Sequence, residues 1–282
     1  MNNDQSGTLY VLVHGAWHSS WQWAATQRAL AGLGAVSLAV DLPGHGFDAP
    51  LPSGYHDPGQ PGFTTEKSAL AGLTLEECAG AVVSALRAVR GHRRVVLVSH
   101  SAGGVSASLA AERAPELVDE LVYLSSVVLA GRPRFSDYMD APEQMAIARD
   151  RGLLVGDMKS IGACRVNPLS ADPEYLEELR LTYYQDIPAG SFARWRHALS
   201  PDLPLAIPTT PVGLTRERWG GIPRTFIRCA EDRALAPAVQ DLMIAEADAA
   251  MPDHPFTVRT LPGSHSPFAA RPAELAAALV GA

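Results

Sequence analysis

Runs of apolar residues alternate along the chain with amphipathic stretches, a pattern typical of a mostly parallel sheet with helices on both faces. The apolar runs predict strands at residues 9–13, 35–40, 94–99, 120–124, 225–229 and 257–261. We therefore expect an α/β fold in which a mostly parallel central sheet is covered by helices on both faces.

The clearest helix is predicted at residues 74–89, between the second and third strands. Thr74 and Glu77 form a capping-box pattern at its start, and Gly91 follows its end. One face carries apolar side chains at helical spacing, namely Leu75, Cys78, Val82, Val83, Leu86 and Val89. A last helix is predicted to begin at Pro272 and to end before Gly281.

Two segments interrupt the alternation. Residues 43–72 are rich in proline and glycine and lack periodicity, so we predict a long surface loop in which His45 and His56 are solvated. Residues 131–220 mix helical stretches at 142–151 and 173–184 with proline-rich turns at 201–211. We expect residues 1–282 to form a single domain, with residues 131–220 inserted as a cap that excludes water and shapes a pocket.

The sequence Ser99-His100-Ser101-Ala102-Gly103-Gly104 joins the third predicted strand to a run of small residues. A strand that enters a tight turn of small residues before a helix holds its central side chain exposed, over the helix N-terminus. The pattern departs from the nucleophile-elbow pattern Gly-x-Ser-x-Gly at its first position, where Ser99 replaces glycine. Ser101 is thus a candidate nucleophile, and the alternative is that it only starts a helix.

Partners for such a serine follow later in the chain. A serine hydroxyl is a weak nucleophile, and it needs a histidine to take its proton and a carboxylate to orient that histidine. Asp232 follows the fifth predicted strand and His265 the sixth, so all three groups lie past the carboxyl end of a strand, where open α/β sheets bind ligands. We predict a triad of Ser101, Asp232 and His265, with Glu231 as the rival acid.

Backbone N–H groups are predicted to stabilise the negative charge that develops on a substrate carbonyl oxygen. One donor is the residue after the nucleophile, Ala102, and the second comes from the loop after the first strand, where Ala16 is our choice. His14 stands in the same loop. We interpret it as a brace that hydrogen-bonds the loop, because only geometry could establish a catalytic role.

The chain resembles the alpha/beta-hydrolase group that contains plant methyl salicylate esterases, polyneuridine aldehyde esterase, methylketone synthases and hydroxynitrile lyases, together with bacterial relatives. The resemblance is carried by residues 13–17 with Trp21 and Trp23, by residues 41–46, by the Ser101 elbow, by residues 222–233 with Pro237 and Gln240, and by residues 263–268. It covers the core and is weakest over residues 131–220. It implies the alpha/beta-hydrolase fold.

The same resemblance assigns the triad to Ser101, Asp232 and His265, and the oxyanion hole to the N–H groups of Ala16 and Ala102. The group's hydroxynitrile lyases need a lysine directly after the catalytic histidine, where this chain has Ser266. Ester hydrolysis through an acyl-enzyme is therefore favoured over cyanohydrin cleavage. The nucleophile is a serine, so the aspartate chemistry of epoxide hydrolases and haloalkane dehalogenases is set aside.

Two other kinds of function stay open. The same site could carry out carbon–carbon cleavage, decarboxylation or a cofactor-free cyclisation, because fold does not fix function. The protein could also be a small-molecule receptor with little turnover. The aromatic residues that we predict to line a substrate pocket are Trp17, Trp195, Tyr184 and Trp219, with Tyr183 and Phe192 as further candidates; the alternative is that they pack the cap onto the core.

Composition and charge limit the classes of binding partner that we expect. The chain has 282 residues, 47% of them hydrophobic, and a net charge of −7 without clusters of lysine or arginine, so nucleic acid is an unfavourable partner. No apolar run approaches a membrane span, and no signal-like segment stands at the N-terminus, so we expect a cytoplasmic protein. The expected partners are a small-molecule ester and, as quaternary structure, a second copy of the chain.

Metal and cofactor chemistry is not indicated by the sequence. Cys78, Cys164 and Cys229 are widely separated and show no Cys-x-x-Cys spacing, so neither a disulfide framework nor a zinc site is predicted. Cys78 lies on the apolar face of a helix and Cys229 in a strand, so we expect both to be core thiols. The predicted mechanism requires no cofactor.

Overall fold

A computed structural model describes residues 7–91, 94–146 and 152–281. Its central sheet has six parallel strands in the order β2-β1-β3-β4-β7-β8, and β5 and β6 form a separate antiparallel pair. The strands are β1 (Thr8–Val13), β2 (Val36–Val40), β3 (Arg94–Ser101), β4 (Glu120–Ser126), β5 (Ala163–Arg165), β6 (Asp202–Pro204), β7 (Arg224–Cys229) and β8 (Thr257–Leu261). The six predicted strands and the α/β class are confirmed.

Helices connect the strands on both faces of the sheet. They are α1 (Ala24–Gly32), α2 (Leu75–Ala88), α3 (Gly103–Arg113), α4 (Phe135–Met139), α5 (Pro142–Met145), α6 (Met158–Ile161), α7 (Pro173–Tyr183), α8 (Ala189–Arg196), α9 (Ala206–Thr209), α10 (Pro237–Ala250), α11 (Pro267–Ala270) and α12 (Pro272–Val280). The capping box of Thr74 and Glu77 at the start of α2 is present, and α12 begins at Pro272 as predicted. Throughout the described ranges, we find no helix with the length and apolar character needed to cross a membrane.

The core is built on the central strands. Every residue of β1 and β4 is buried, whereas the edge strands β2 and β8 are largely exposed or half-buried. A strand covered by helices on both faces buries side chains on both of its faces, which explains the runs of Val and Leu in the central strands. Cys78 and Cys229 are buried thiols, as predicted, and burial raises the pKa of the Cys78 thiol to about 12.

The loop of residues 43–72 has neither helix nor strand, as predicted, yet it is tied firmly to the rest of the chain. The guanidinium of Arg165 in β5 binds the carboxylate of Asp202 in β6 and donates to the carbonyl oxygens of Phe63 and Glu66 in the loop. Arg165 is fully buried. The buried guanidinium of Arg165, paired with Asp202, thus holds the loop against the β5–β6 pair.

The prediction of a solvated His45 is wrong, while His56 is exposed as expected. His45 is buried, and its ring centroid lies 4.9 Å from that of His14. Burial lowers the pKa of His45 below its ordinary value. Sequence composition marked the loop as irregular, but it could not show that this part of the loop folds inward against the first strand's end.

Residues 131–220, which we call the insertion, lie between β4 and β7 and contain α4 to α9 and the β5–β6 pair. The helix expected at residues 142–151 is shorter, because α5 ends at Met145, and residues 147–151 lie outside the described residues. Helix α7 matches its prediction closely. The stretch predicted as proline-rich turns holds β6 and α9 instead.

Candidate active site

Ser101 ends β3 and lies in the turn that leads into α3, with a φ of 52°. Positive φ is uncommon for a residue with a side chain and marks a strained corner. Gly103 allows this turn to press against the first loop, because a Cβ there would lie only 2.2 Å from the carbonyl oxygen of His14. The sequence-predicted elbow therefore exists in the structure.

Ser99 fills the position where the elbow pattern has a glycine. Its side chain is buried, and its Oγ lies 3.2 Å from the Oγ of Ser126 at the end of β4. The Oγ of Ser126 in turn donates to the carbonyl oxygen of Ser101, at 2.8 Å. The hydroxyl that replaces glycine is thus accommodated by a partner on the neighbouring strand.

The loop after β1 packs directly on the elbow. A Cβ on Gly15 would lie 2.8 Å from the Cβ of Ser101. His14 braces this loop as predicted, because its Nδ1 donates to the carbonyl oxygen of Gly15 at 2.8 Å and its Nε2 accepts the N–H of Leu42 at 3.1 Å. Burial holds the pKa of His14 well below its ordinary value, so the ring is neutral.

The two predicted oxyanion donors keep their N–H groups uncommitted. Ala16 lies in the loop after β1, and Ala102 directly follows the elbow serine. Over the described ranges, neither N–H has a main-chain or side-chain acceptor within hydrogen-bond distance. Such amides are available to a bound oxygen atom.

His265 and Asp232 meet in a buried hydrogen bond. His265 Nδ1 lies 2.7 Å from Asp232 Oδ2, and both side chains are almost completely buried. The other carboxylate oxygen, Oδ1, accepts the N–H groups of Ala234 and Leu235, each at 2.8 Å. The rival Glu231 is exposed, so the residue that contacts the histidine is Asp232.

His100, inside the elbow, holds the histidine loop. Its Nε2 lies 2.9 Å from the carbonyl oxygen of His265, and the two rings are 4.6 Å apart. Burial first, and the nearby His265 second, keep the pKa of His100 well below its ordinary value. A neutral ring facing a carbonyl must carry its proton on Nε2. No local sequence pattern indicates a role for His100, because its partner is 165 residues away in the chain.

Ser125 is a second supporting residue without a signal in the sequence. In the β3–β4 pairing, His100 faces Leu124 but Ser101 faces Ser126, so Ser125 is the extra residue of a bulge. It has a φ of 39°, and its Oγ donates to Asp232 Oδ2. A bulge re-aims a side chain next to a functional site. No feature of a single serine within an apolar strand could have indicated it.

Comparison with known proteins places this chain in a family. The model of the alpha/beta hydrolase family matches residues 10–278. The chain belongs to the alpha/beta hydrolase family. The resemblance to the methylesterase group is confirmed as well, since this alpha/beta hydrolase is 27% identical to "Methyl jasmonate esterase 1" of Vitis vinifera, over 96% of the chain and 94% of that protein.

Other relatives and solved structures agree with this assignment. "Putative methylesterase 12, chloroplastic" of Arabidopsis thaliana is 26% identical over 94% of this alpha/beta hydrolase and 69% of that protein. The structure of a pyrethroid hydrolase matches with a TM-score of 0.73 and 25% identity, covering 98% of this chain and 97% of the other. Polyneuridine aldehyde esterase matches in fold, with a TM-score of 0.71 at 20% identity, over 98% of this chain and 99% of the other.

The aromatic residues predicted to line this hydrolase's pocket separate into groups. Trp17 packs edge-on against Tyr183, at 5.6 Å, and Tyr183 packs edge-on against His265, at 5.9 Å. Tyr184 is fully buried, and its ring lies tilted against that of the half-buried Trp195, with the two centroids 5.9 Å apart. Tyr183 is therefore a predicted pocket residue whose ring contacts His265, and Trp17 packs behind it.

Trp219 does not lie at the site, contrary to the prediction. It precedes β7, at the end of that strand opposite Asp232, and is fully buried. Its Nε1 donates to the hydroxyl of Tyr123, at 2.8 Å, and the guanidinium of Arg224 lies over its ring. The sequence shows an aromatic residue in the insertion, but not which end of the sheet the residue packs against.

Proposed function

We propose that this alpha/beta hydrolase cleaves carboxylic esters through an acyl-enzyme on Ser101. The observation that carries the proposal is the buried hydrogen bond between His265 Nδ1 and Asp232 Oδ2. Asp232 follows β7 and His265 follows β8, at the carboxyl end of the sheet, where Ser101 ends β3. Relatives that cover most of the chain are named methylesterases and esterases, which supports the same reaction.

The hydrogen bond between His265 and Asp232 supports a separate role for each ring nitrogen of His265. A carboxylate can only accept, so His265 carries its proton on Nδ1 and presents a lone pair on Nε2. His265 Nε2 takes the proton of Ser101 Oγ while that oxygen bonds to the ester carbonyl carbon. Asp232 stabilises the imidazolium that forms, and the N–H groups of Ala16 and Ala102 receive the oxyanion.

Collapse of the tetrahedral intermediate breaks the bond to the alcohol oxygen, which takes the proton from His265 and leaves. Water then attacks the acyl-enzyme, His265 takes one of its protons, and the second intermediate releases the acid and returns that proton to Ser101 Oγ. The sum of the two steps is ester plus water giving acid plus alcohol, and no redox partner or metal ion takes part.

The substrate that we propose is a small to medium ester with an apolar or aromatic group. Tyr183 packs edge-on against His265, and Trp17 packs edge-on against Tyr183, so aromatic surface lies beside the candidate site. Such rings favour flat, apolar groups over charged ones. The relatives include a methyl jasmonate esterase, which agrees with a carboxylic ester of moderate size.

The test combines a covalent probe with turnover. A fluorophosphonate should label the wild-type protein once, as measured by intact mass, and a short-chain nitrophenyl ester should be hydrolysed. Ser101→Ala should lose the label, and its turnover should fall by at least about a thousandfold, because the nucleophile acts as a unit with its triad. A matched control is Ser106→Ala, which removes a buried hydroxyl of α3 with no partner in the described part of the chain.

Each alternative gives a different result. Product formation that depends on His265 but not on Ser101 would indicate a non-hydrolytic reaction in the same site. Tight binding of small molecules without labelling or turnover would indicate a receptor. Labelling that persists in Ser101→Ala would place the nucleophile elsewhere and overturn the proposal.

A further inference from the structure

The end of α7 and the residues after it contact three separate loops of the candidate site. These residues, 183–186, are called the clamp segment below. The three loops follow β1, β7 and β8 and carry Ala16, Asp232 and His265. The loops after β7 and β8 contact each other directly, because His265 Nδ1 is hydrogen-bonded to Asp232 and the N–H of Glu231 donates to the carbonyl oxygen of Gly263 at 3.0 Å. The clamp segment adds contacts to both of these loops and to the loop after β1, and such supporting contacts fix the positions of catalytic groups.

The first contact reaches the loop after β1. The hydroxyl of Tyr184 is hydrogen-bonded to His18 Nε2, and His18 Nδ1 lies 2.6 Å from the carbonyl oxygen of Ala16. Burial lowers the pKa of His18 to about 3, so the ring is neutral and carries one proton. Because a carbonyl only accepts, the proton is on Nδ1, and Nε2 accepts from Tyr184. Two hydrogen bonds thus connect the clamp segment to the carbonyl group of Ala16.

The second contact reaches the acid loop. Gln185 Nε2 donates to the carbonyl oxygen of Glu231, at 2.7 Å, and Glu231 directly precedes Asp232. The third reaches the histidine loop, where Asp186 Oδ2 accepts the N–H of Ser264 at 2.8 Å. Ser264 directly precedes His265, and a hydrogen bond to a carboxylate is stronger than one between neutral groups.

The histidine loop is shaped to meet Asp186. Gly263 has a φ of 96°, and a Cβ on it would lie 2.3 Å from Asp186 Oδ2. Only glycine permits both this backbone conformation and this close approach. Arg180 of α7 stabilises the clamp segment. Its guanidinium donates to the carbonyl oxygens of Gln185, at 3.1 Å, and Ile187, at 2.9 Å.

We propose that Asp186 is a positioning residue for His265, and that the clamp segment sets the relative positions of the three catalytic loops. The expected effect on catalysis rests on the proposed function. The expected effect on the histidine loop rests only on the hydrogen bond between Asp186 and Ser264. The insertion is then a fixed part of the catalytic machinery as well as a cover. A displacement of about 1 Å at a catalytic group can cost about a hundredfold in rate.

The experiment compares three variants. Asp186→Ala removes the acceptor of the Ser264 N–H, whereas Asp186→Asn keeps an acceptor oxygen of the same reach and removes only the charge. Glu178→Ala is the matched control, because Glu178 is a half-buried carboxylate of α7 whose side chain has no hydrogen bond among the described residues. Each variant is assayed for kcat and KM on a nitrophenyl ester and for hydrogen exchange of the peptide that contains residues 263–265.

A positioning role predicts a specific pattern. In Asp186→Ala we expect kcat to fall about 10- to 100-fold with KM within about threefold of wild type, because the ester's own contacts are unchanged. Hydrogen exchange at Ser264 should become faster in the same variant. Asp186→Asn should recover most of kcat and the slow exchange, and Glu178→Ala should match wild type in both measurements.

Two results would contradict the positioning role of Asp186. An Asp186→Ala variant with wild-type kcat and wild-type exchange overturns the inference, and so does a change confined to KM, which would assign Asp186 to substrate binding. If Asp186→Ala does not fold, Asp186→Ser takes its place, since its hydroxyl is too short to reach Ser264. If wild type shows neither labelling nor turnover, the proposed function fails, and the exchange measurement still decides whether Asp186 holds the loop.

Discussion

The hydroxyl of Ser125 donates to Oδ2 of Asp232, the same oxygen that lies 2.7 Å from His265 Nδ1. Ser125 Oγ is itself 3.4 Å from that nitrogen, so the three groups form a compact triangle in the interior. The bulge in β4 and the positive φ of Ser125 bring the hydroxyl there. Backbone strain of this kind persists only where the surrounding structure enforces it.

Ser125→Ala should therefore weaken catalysis without abolishing it. The substitution removes one hydrogen bond to a charged group, and we expect kcat to fall about tenfold with little change in KM. Steady-state kinetics on a nitrophenyl ester measure this. Ser106→Ala, another buried serine but one without a partner in the described ranges, should stay at the wild-type rate. Equal rates for the two variants would show that Ser125 has no part in holding Asp232.

Gly104→Ala should strongly destabilise the protein. A Cβ at this position would lie 2.2 Å from the carbonyl oxygen of Val127, so the backbone of α3 or of the segment after β4 must move, and we expect a loss of about 3 kcal/mol or more. Gly80→Ala is the opposite control. Gly80 lies exposed within α2 with open space around its Cα, and alanine there should raise the free energy of unfolding by about 0.5–1 kcal/mol. Urea denaturation measures both values, and changes of the same sign would contradict the steric argument.

Asp202→Ala should release the loop of residues 43–72. It leaves the fully buried guanidinium of Arg165 without its carboxylate, and breaking such a pair costs about 3–5 kcal/mol. Proteolysis within the loop should accelerate in parallel. The double variant Arg165→Met/Asp202→Leu should regain much of the lost stability, because it removes both charges.

An exposed ion pair provides the comparison for Asp202→Ala. Glu76→Ala disrupts the pair with Arg113, whose side chains are both more than half exposed, and it should have little effect on stability. If Asp202→Ala were as mild as Glu76→Ala, burial of the Arg165 pair would not be what holds the loop.

Stability should fall as the pH is lowered from about 7 toward about 3. Burial lowers the pKa of His14, His18, His45 and His100 below the ordinary value of 6.5, and that of His18 to about 3. In this range the unfolded state binds protons that the folded state does not bind, so each such histidine contributes a loss of up to about 1.4 kcal/mol per pH unit. Urea denaturation at several pH values measures the slope.

A variant pair checks the cause of this slope. His18→Gln removes one titrating group and should make the pH dependence shallower by up to about 1.4 kcal/mol per pH unit. Ser106→Ala removes no titrating group and should leave the slope unchanged. A flat profile in the wild-type protein, or an equal effect of both variants, would show that the buried histidines are not responsible.

The sequence by itself determined the elements whose cause is local. Apolar runs predicted all six strands of the sheet, and the capping box of Thr74 and Glu77 marked the start of α2. The positions of Ser101, Asp232 and His265 followed from one rule, that side chains just past the carboxyl ends of parallel strands meet at one edge. Periodicity and strand ends can be read without knowing how the chain packs.

The tertiary structure alone decided which side chains support that edge. Ser125 contacts Asp232 only because of a bulge, which is a property of two paired strands rather than of one sequence segment. His100 and Asp186 hold the histidine loop from positions 165 and 78 residues away in the chain. The same physics buried His45 and placed Trp219 at the far end of the sheet: contacts between distant segments depend on how the whole sheet and the insertion come together, and no local pattern encodes them.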